Sequence, residues 1–418
     1  MLRISSSGTL DGYLMISRIA WRNILRNKRR SFILIISIMI GVIALLLTDA
    51  VSIGMMQQML TNQIGADAGY IQIHKKGYHD DPALKNSIAN TAPVRAALTR
   101  DGGSTSFSER LRTFGLVSSA YNSSGVSIVG IIPREEERIT TVHDYIVKGH
   151  YLSNNPGDII VSTATAEKLK VGLGDKVVIM ASRIGGSVGS EACRVVGLFE
   201  TFDSGFDQTH VYIPLPTAQQ MLGAAGRVTE FVVNPVSPKM TDTIAQRLRT
   251  GFSPDFEVLT YKEMLPLLVM QIQLYDQTIY IFYAIIAIAL IFGIINTMLM
   301  AVMERTHEFG VDMAIGMSNR RIFRMILTEA FFLGSIGTIV GLVISFTIYI
   351  PLSHTGWNLA MFSESLKSIG AGTIIYPVMK ASSLINTVVI IPLAAVAGSV
   401  YPAMRATKLQ PVEAIRSN

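Results

Sequence analysis

Acidic side chains inside apolar runs, a histidine–aspartate cluster and a glycine-rich turn are the residues of this sequence that could do chemistry. Glu329 lies in the apolar run Met325–Leu352, and Asp49 lies near the end of Ser31–Val51. An ionisable group in such a run is a candidate for moving a proton or ion, or for pairing with a cation. Glu329 has Arg324 and Arg305 within reach, so pairing or a coupling role is its first reading. Asp49 falls close to the far end of its run and reads as solvated. The stretch "HKKGYHDD" groups His74, His79, Asp80 and Asp81, but its spacing fits no standard ligand set and it reads as a solvated loop. In "VGLGDKVVI" the glycines open a strand rather than a helix, so no helix N-terminus faces a phosphate. Serines and histidines are scattered without a nucleophile-elbow context. The expectation is a chain with no catalytic residues, no metal site and no cofactor of its own.

A second kind of candidate is apolar. In "MERTHEFGVDMAIGMSNRR", Phe309, Met313 and Met317 recur at helical spacing, with Val311, Ala314 and Ile315 beside them. Gly316 suits a helix end and Ser318 a cap for the helix entering the next apolar run. Glu304, Arg305, Glu308 and Asp312 flank the segment on one side, and Arg320, Arg321 and Arg324 on the other. Such a helix either rests on lipid as a linker or fills a groove on a partner. Spacing alone does not separate the two.

The elements around these residues are set by hydropathy. The chain has 418 residues, 49% apolar and 16% charged, against about 25% charged in a soluble domain. Four runs reach the roughly 20 apolar residues that a bilayer requires: Ser31–Val51, Ile279–Met303, Met325–Leu352 and Leu384–Met404. Lys and Arg gather before the first run (Arg3 to Arg30), between the second and third (Arg305, Arg320, Arg321, Arg324) and after the fourth (Arg405, Lys408, Arg416). By the positive-inside rule both termini and the Met303–Arg321 segment are cytoplasmic and the long segment after the first run is outside. A cleaved signal peptide is the rival reading of the first run, but the basic region before it is long and the run exceeds a 7–15-residue h-region. The net charge of +6 follows from the basic residues at the inner face and implies no nucleic acid.

"YLMISRIAWRNILRNKRR" carries Ile16, Ile19, Ala20 and Ile24 on one helical stripe and Arg18, Arg22 and Arg26 on another, which predicts a basic amphipathic helix in the membrane interface. The first and second spans both continue outward at helical spacing, through Met55, Met56, Met59, Leu60 and Ile64 on one side and Leu267, Leu268, Met270, Ile272 and Leu274 on the other. These are expected stalks, with Pro266 kinking or starting the second. Their apolar faces either pack or line a cavity. Methionine suits surfaces that accept varied apolar partners, so Met55, Met56, Met59, Leu60, Leu267, Leu268 and Met270 are candidate cargo contacts.

Between the stalks, "YIQIHKK", "GVSIVGII", "DIIVST", "DKVVIMAS", "CRVVGLFE" and "HVYIPL" read as strands, "TATAEKLKVG" and "TAQQMLGAAG" as short helices, and Thr229–Met264 as strand, helix, strand. Cys193 is the one cysteine; it falls in a strand and reads as buried packing. The fold class is thus an α-helical membrane protein with four transmembrane helices plus a large mixed α/β extracytoplasmic domain between spans one and two. The domains are 1–30 (amphipathic N-terminal helix), 31–51, 279–303, 325–352 and 384–404 (spans), 52–278 (outside domain), 304–324 (inner segment), 353–383 (outer loop) and 405–418 (cytoplasmic tail).

"NTMLMAVMERTHEFGVDMAIGMSNRRIFRMILTEA" resembles the core signature of the FtsX-like permease family, and "GSVYPAMRATKLQPVEAIR" resembles its C-terminal signature. The outside domain is most similar to the lipoprotein-releasing permeases LolC and LolE, through "VGIIPREEERITTVHDYIVKGHYL", "DIIVSTATAEKLKVGLGDKVVI" and "CRVVGLFETFDSGFDQTHVYIPLPTAQQML". The inner segment is more similar to MacB-type exporters, in which an ATPase domain precedes the first span; the stretch before Ser31 shows none. The resemblance implies an ABC transporter permease of the bacterial inner membrane with its large domain in the periplasm. It implies a separate cytoplasmic ATPase dimer, which holds the ATP and Mg, and a second permease, identical or homologous. It also implies ATPase-coupling contacts from Glu304, Arg305, Glu308, Phe309, Met313, Ile315, Met317 and Arg320, and an inserted β-rich portion at about 125–222. Mechanotransmission would then drive lipoprotein or amphipathic cargo on the outer side. Efflux with an adaptor, or activation of a cell-wall hydrolase, are the alternatives.

Overall fold

The computed structural model describes residues 7–100 and 105–408. Arg3, Arg416 and the "QPVEAIR" end of the C-terminal motif lie outside the described residues. In chain order the helices and strands are α1 Ser7–Arg26, α2 Lys28–Gln63, β1 Ile71–Lys75, α3 Ala92–Arg100, β2 Thr105–Ser118, β3 Ser123–Ile131, α4 Pro133–Glu136, β4 Ile146–Gly149, β5 Asp158–Ser162, α5 Thr163–Leu169, β6 Lys176–Ser182, β7 Val188–Phe199, α6 Ser204–Thr209 and β8 His210–Pro214. They continue with α7 Leu215–Leu222, β9 Glu230–Pro235, α8 Thr241–Gly251, β10 Phe256–Thr260, α9 Tyr261–Met264, α10 Pro266–Glu304, α11 Thr306–Ala314, α12 Asn319–Thr355, β11 Trp357–Asn358, α13 Ser363–Ser368, β12 Ile374–Ile375 and α14 Ala381–Thr407. They fall into two units: Met1–Met55, Gln273–Trp357 and Ile375–Asn418 form the first, and Met56–Ile272 with Asn358–Ile374 form the second.

The first unit is helical. Among the described residues, four helices are long and apolar enough to cross a membrane: Lys28–Ala68 (α2 with the π-turn after it), α10, α12 and α14. Each contains one of the apolar runs read from the sequence. Pro266 starts α10 rather than kinking it, as suits a residue whose missing N–H is already an orphan in a first turn. With lipid as solvent, helices associate by close packing of small residues. A Cβ at Gly337 or Gly341 of α12 would come within 2.8 Å of the Cβ of Ile38 or Val42 on α2, and one at Gly334 within 2.7 Å of the Ala395 Cβ on α14. The hydroxyls of Thr338, Ser345 and Thr387, all buried, donate to carbonyls one turn back. They are thereby satisfied without water.

Two expectations are corrected in this unit. The apolar stripe of α1 does not lie free for lipid: Ile16, Ala20 and Ile24 are buried in the helical core with Ile322, Met325 and Ile326 of α12. Packing on its own chain removes that face from water as well as lipid does. Asp49 is not solvated. It is 2% exposed and accepts a hydrogen bond from the Tyr275 hydroxyl at 3.1 Å, so a neighbouring helix supplies the donor that water was expected to supply.

The second unit is built on one ten-stranded sheet in the order β10-β1-β9-β2-β3-β8-β5-β7-β4, with β6 pairing β2 and β7. Strands β3 to β8, which cover the portion expected at 125–222, form one half; β10, β1 and β9 form the other; and β2 pairs both halves. They belong to one continuous sheet. Alternate residues of β3, β5 and β8 face opposite cores: Ile128, Ile159, Ile160, Val211 and Tyr212 are all buried, with Ile128, Ile159 and Val211 in one cluster and Ile160 and Tyr212 in the other. This period-two split explains why those strands read as continuous apolar runs. Helices α5, α7 and α8 cover the first face through Leu169, Leu222 and Ile244. Ser162 caps α5 by accepting from the Thr165 N–H at 3.0 Å, and Asp203 caps α6 through Gly205 at 2.7 Å, as their residue types favour.

Candidate functional site

At the end of α10 and along α11 in the first unit the charged flanks form a lattice. Arg30 of α2 pairs with Glu304, and Arg26 of α1 with Glu308. Arg305, 7% exposed, donates from Nε to Glu308 Oε2 at 3.2 Å and from Nη1 to Glu329 Oε2 at 3.1 Å. Its guanidinium also lies 5.1 Å from the Phe309 ring centroid, a cation–π arrangement. Burial alone would raise the Glu308 carboxyl, but hydrogen bonds from Arg26 and Arg305 hold it below its ordinary value. Ion pairs thus link α1, α2, α10, α11 and α12. The sequence placed Glu304, Arg305 and Glu308 in one group. Glu329 pairs with Arg305, one of the two arginines expected within its reach, and the structure brings Arg26 and Arg30 into that group as well.

The expected anchor Phe309 is corrected. It is 1% exposed and belongs to the helical core, and Met313 and Met317 pack partly against that core. Phe309 therefore serves its own chain and offers no free side chain. The outward face of α11 is instead His307, Val311, Ala314 and Ile315, with Ile315 79% exposed. These residues follow one helical stripe, on nearly the opposite side of the helix from the one the methionine spacing suggested. Arg320 is exposed at the start of α12.

In the second unit, the ends of α2 and α10 line a cavity of about 450 Å3 bounded by Met59, Gln63, Met264, Leu265, Leu268 and Ile369 among others, Leu267 included. Of the candidate cargo contacts, the structure brings Met59, Leu267 and Leu268 to this cavity; Met55, Met56, Leu60 and Met270 do not line it. Ile369 was not foreseen. It arrives on the outer loop, which docks on this unit through Lys367–Glu200 at 2.5 Å and Gln58 Nε2 to Ile374 O at 2.9 Å, while Gln63 and Asp203 hydrogen bond beside Gly370. The signal available in sequence was the Gly370–Ala371–Gly372 turn, which admits the close approach of Gln63 and Gln58.

A buried charge cluster crosses the sheet nearby. Arg110 and Arg112 of β2 meet Glu230 of β9, Glu136 of α4 and Asp67, with Arg110 gripping Glu136 at 2.6 and 3.2 Å and Glu230 at 3.3 Å. Burial raises and the two arginines lower the Glu230 and Asp67 carboxyls, and the arginines prevail in both. The histidine–aspartate group of the sequence is split here. His74 is buried on β1 between Thr229 O and Gln72 Oε1, whereas His79, Asp80 and Asp81 are exposed in the following loop. The glycines of "VGLGDKVVI" precede strand β6. Cys193 is buried in β7, and burial pushes its thiol up to about 12.

Residues 31–250 match the MacB-like periplasmic core domain family and residues 280–411 the FtsX-like permease C-terminal family. A macrolide export ATP-binding/permease protein MacB of Psychrobacter cryohalolentis is 24% identical over 93% of this chain, which spans 57% of that protein. The lipoprotein-releasing system transmembrane protein LolC of Neisseria meningitidis serogroup B is 25% identical over 96% of this chain and 100% of its own length. The periplasmic region of MacB from Actinobacillus actinomycetemcomitans aligns with 50% of this chain and 97% of its own at 14% identity and a TM-score of 0.35. With four long apolar helices, a mixed α/β domain between the first two and both family matches, the chain belongs to the FtsX-like permease family with a MacB-like periplasmic core domain.

Proposed function

We propose that this chain is the permease subunit of an ABC transporter that handles lipid-anchored cargo on the outer face of a bacterial inner membrane. A separate ATPase dimer docks on the outward face of α11, and two permease subunits, identical or homologous, make the working pair. ATP binding and hydrolysis in that partner, with its Mg, shift α11, and the ion-pair lattice passes the shift to α1, α2, α10 and α12. Helices α2 and α10 continue into the second unit, so their movement reshapes the cavity at Met59 and Leu268. Cargo stays on the outer side rather than threading a pore.

The cavity carries this reading. Its walls are mostly methionine and leucine, its size falls within the roughly 300–1,000 Å3 of small-ligand sites, and each acyl methylene buried there contributes about 0.8 kcal/mol. The LolC relative is named for lipoprotein release, which fits an acyl-binding cavity. The test places photo-crosslinkers at positions 59 and 268 of the chain co-expressed with its ATPase. Lipoprotein or lipid adducts without nucleotide, lost when ATP binds, are expected. Adducts only to protein, with or without nucleotide, would leave the cavity as packing. A second reading rests on Gln63 and Gln271 in the cavity wall. They suit an amphipathic small molecule, as the name of the MacB relative suggests, and competition of such molecules for the same adducts would favour efflux.

A further inference from the structure

Arg18 and Arg22 have no carboxylate partner among the described residues, although Arg26 and Arg30, further along the same segment, are both paired. The two arginines are exposed and stand one turn apart on α1, where like charges repel. Between and beside them Met15, Trp21 and Leu25 are 46%, 44% and 52% exposed. The buried face of α1 is already spent on α12, so this mixed stripe is a second face with a different occupant. A solvated face has no use for tryptophan, methionine and leucine. A protein core has no use for two unpaired guanidiniums.

The stripe opens on a groove of about 940 Å3 between α1 and α12, lined by Met15, Arg18, Ile19, Trp21, Arg22 and Phe332. Trp21 meets Phe332 edge to face at 5.9 Å and 86°. Phe332 lies eight residues beyond Arg324, the last basic residue before the apolar stretch of α12, hence about 12 Å further along the helix. That places Phe332 at acyl-chain depth and Trp21 at the boundary with the headgroups, where indole rings concentrate. Among the described residues, no acidic side chain lines the groove. Whatever fills it must bring negative charge at one end and hydrocarbon at the other.

We infer that this groove binds one anionic phospholipid, its phosphate held between Arg18 and Arg22 and its acyl chains laid against Trp21 and Phe332. Each arginine near an anionic membrane surface contributes about 1 kcal/mol. Removal of both is therefore worth about 2 kcal/mol, a loss of about thirtyfold in retention at 1.4 kcal/mol per tenfold.

The test is native mass spectrometry of the full-length chain in detergent, titrated with phosphatidylglycerol, phosphatidylcholine or glycerol phosphate. One phosphatidylglycerol is expected to stay bound at low molar ratio, with phosphatidylcholine and glycerol phosphate lost. Arg18→Gln with Arg22→Gln should weaken retention about thirtyfold, Phe332→Ala should weaken it several-fold at unchanged charge, and Arg18→Lys with Arg22→Lys should retain it. Lys28→Gln with Arg29→Gln, an equal charge change on exposed residues outside the groove, should leave it intact. The inference is overturned if that control pair loses as much, if phosphatidylcholine binds equally, or if glycerol phosphate binds alone. It is overturned as well if the Arg18/Arg22 glutamine variant keeps the lipid but loses a co-purifying protein, which would make the groove a protein dock.

Discussion

Arg305 and Glu329 form an ion pair at 3.1 Å in which both side chains are 8% exposed. They come from the junction after α10 and from α12, so the pair fastens the inner segment to the third span at the level where apolar residues begin. Breaking one partner of a buried pair leaves an uncompensated charge, at a cost of about 3 kcal/mol or more. Glu308 still reaches the Arg305 Nε, which tempers that cost. Glu329→Ala should therefore lower the melting temperature of the detergent-purified chain more than the double change Arg305→Met with Glu329→Leu, which removes both charges and fills the space. Equal melting of the single and double variants would show that Glu329 has no electrostatic tie to Arg305.

The outward stripe of α11 carries the coupling proposal. Val311→Asp with Ile315→Asp should abolish co-purification of the ATPase and the stimulation of its hydrolysis, because exposed anchors of an interface are each worth about 2 kcal/mol or more. The permease should stay folded, since neither residue is in the helical core. Phe309→Asp should behave differently and reduce the yield of folded chain, because it buries a charge in that core. If Val311→Asp with Ile315→Asp leaves the ATPase bound, α11 is a linker resting on lipid.

The contrast between Phe309, 1% exposed, and Ile315, 79% exposed, marks how far the sequence was legible. Spacing located α11, and hydropathy located all four long helices, because both signals are local. Which side of α11 faces its own chain depends on α1 and α12 arriving beside it, and that lies outside any window on the sequence. Strand β2 escaped for a related reason. Its residues Ser108, Arg110 and Arg112 alternate with Glu109 and Leu111, so no apolar alternation marks it as a strand, yet Ser108, Glu109 and Arg110 are all buried. Their partners Glu136 and Glu230 stand 26 and 120 positions away from Arg110. Strands β3, β5 and β8 were plain because apolar residues fill both of their faces. In the candidate cavity, Met59, Leu267 and Leu268 were readable as apolar stalk residues, but Ile369 came from a loop with no periodicity at all.

Sidedness is open to chemical labelling. Cys193 is 1% exposed and its thiol is pushed up to about 12 by burial, with Glu191 and Asp158 adding to the effect. It should stay unlabelled by a maleimide at pH 8 in the folded chain and react only after denaturation, since the thiolate is the nucleophile. A silent native cysteine makes single added cysteines readable. Asn122→Cys, exposed after β2, should label in intact cells with an impermeant reagent, and His307→Cys, exposed on α11, only after permeabilisation. Labelling at 307 in intact cells would reverse the orientation.

Asp207 of α6 gives a pH signature within the second unit. It is 4% exposed, and its carboxylate accepts from the Thr201 N–H at 3.0 Å and the Thr201 hydroxyl at 2.8 Å. Burial raises its pKa and Thr201 lowers it, while Glu200 and Asp203 raise it further, for a result of about 6 against an ordinary 3.8. The native state therefore holds a proton that the unfolded chain releases between about pH 4 and pH 6. Stability from this group is fully present below the unfolded value and is lost as the pH rises through the folded one. A shift of that size corresponds to about 3 kcal/mol. Asp207→Asn cannot ionise, so the melting temperature of wild type minus variant should fall from pH 4.5 to pH 7 in the detergent-purified chain, with other carboxylates cancelling in the difference. The loop that carries Lys367 pairs with Glu200 beside this site. Hydrogen exchange at residues 363–371 should for that reason rise over the same interval in wild type and stay level in the variant. A difference in melting temperature that is flat with pH would place the Asp207 carboxyl at its ordinary value.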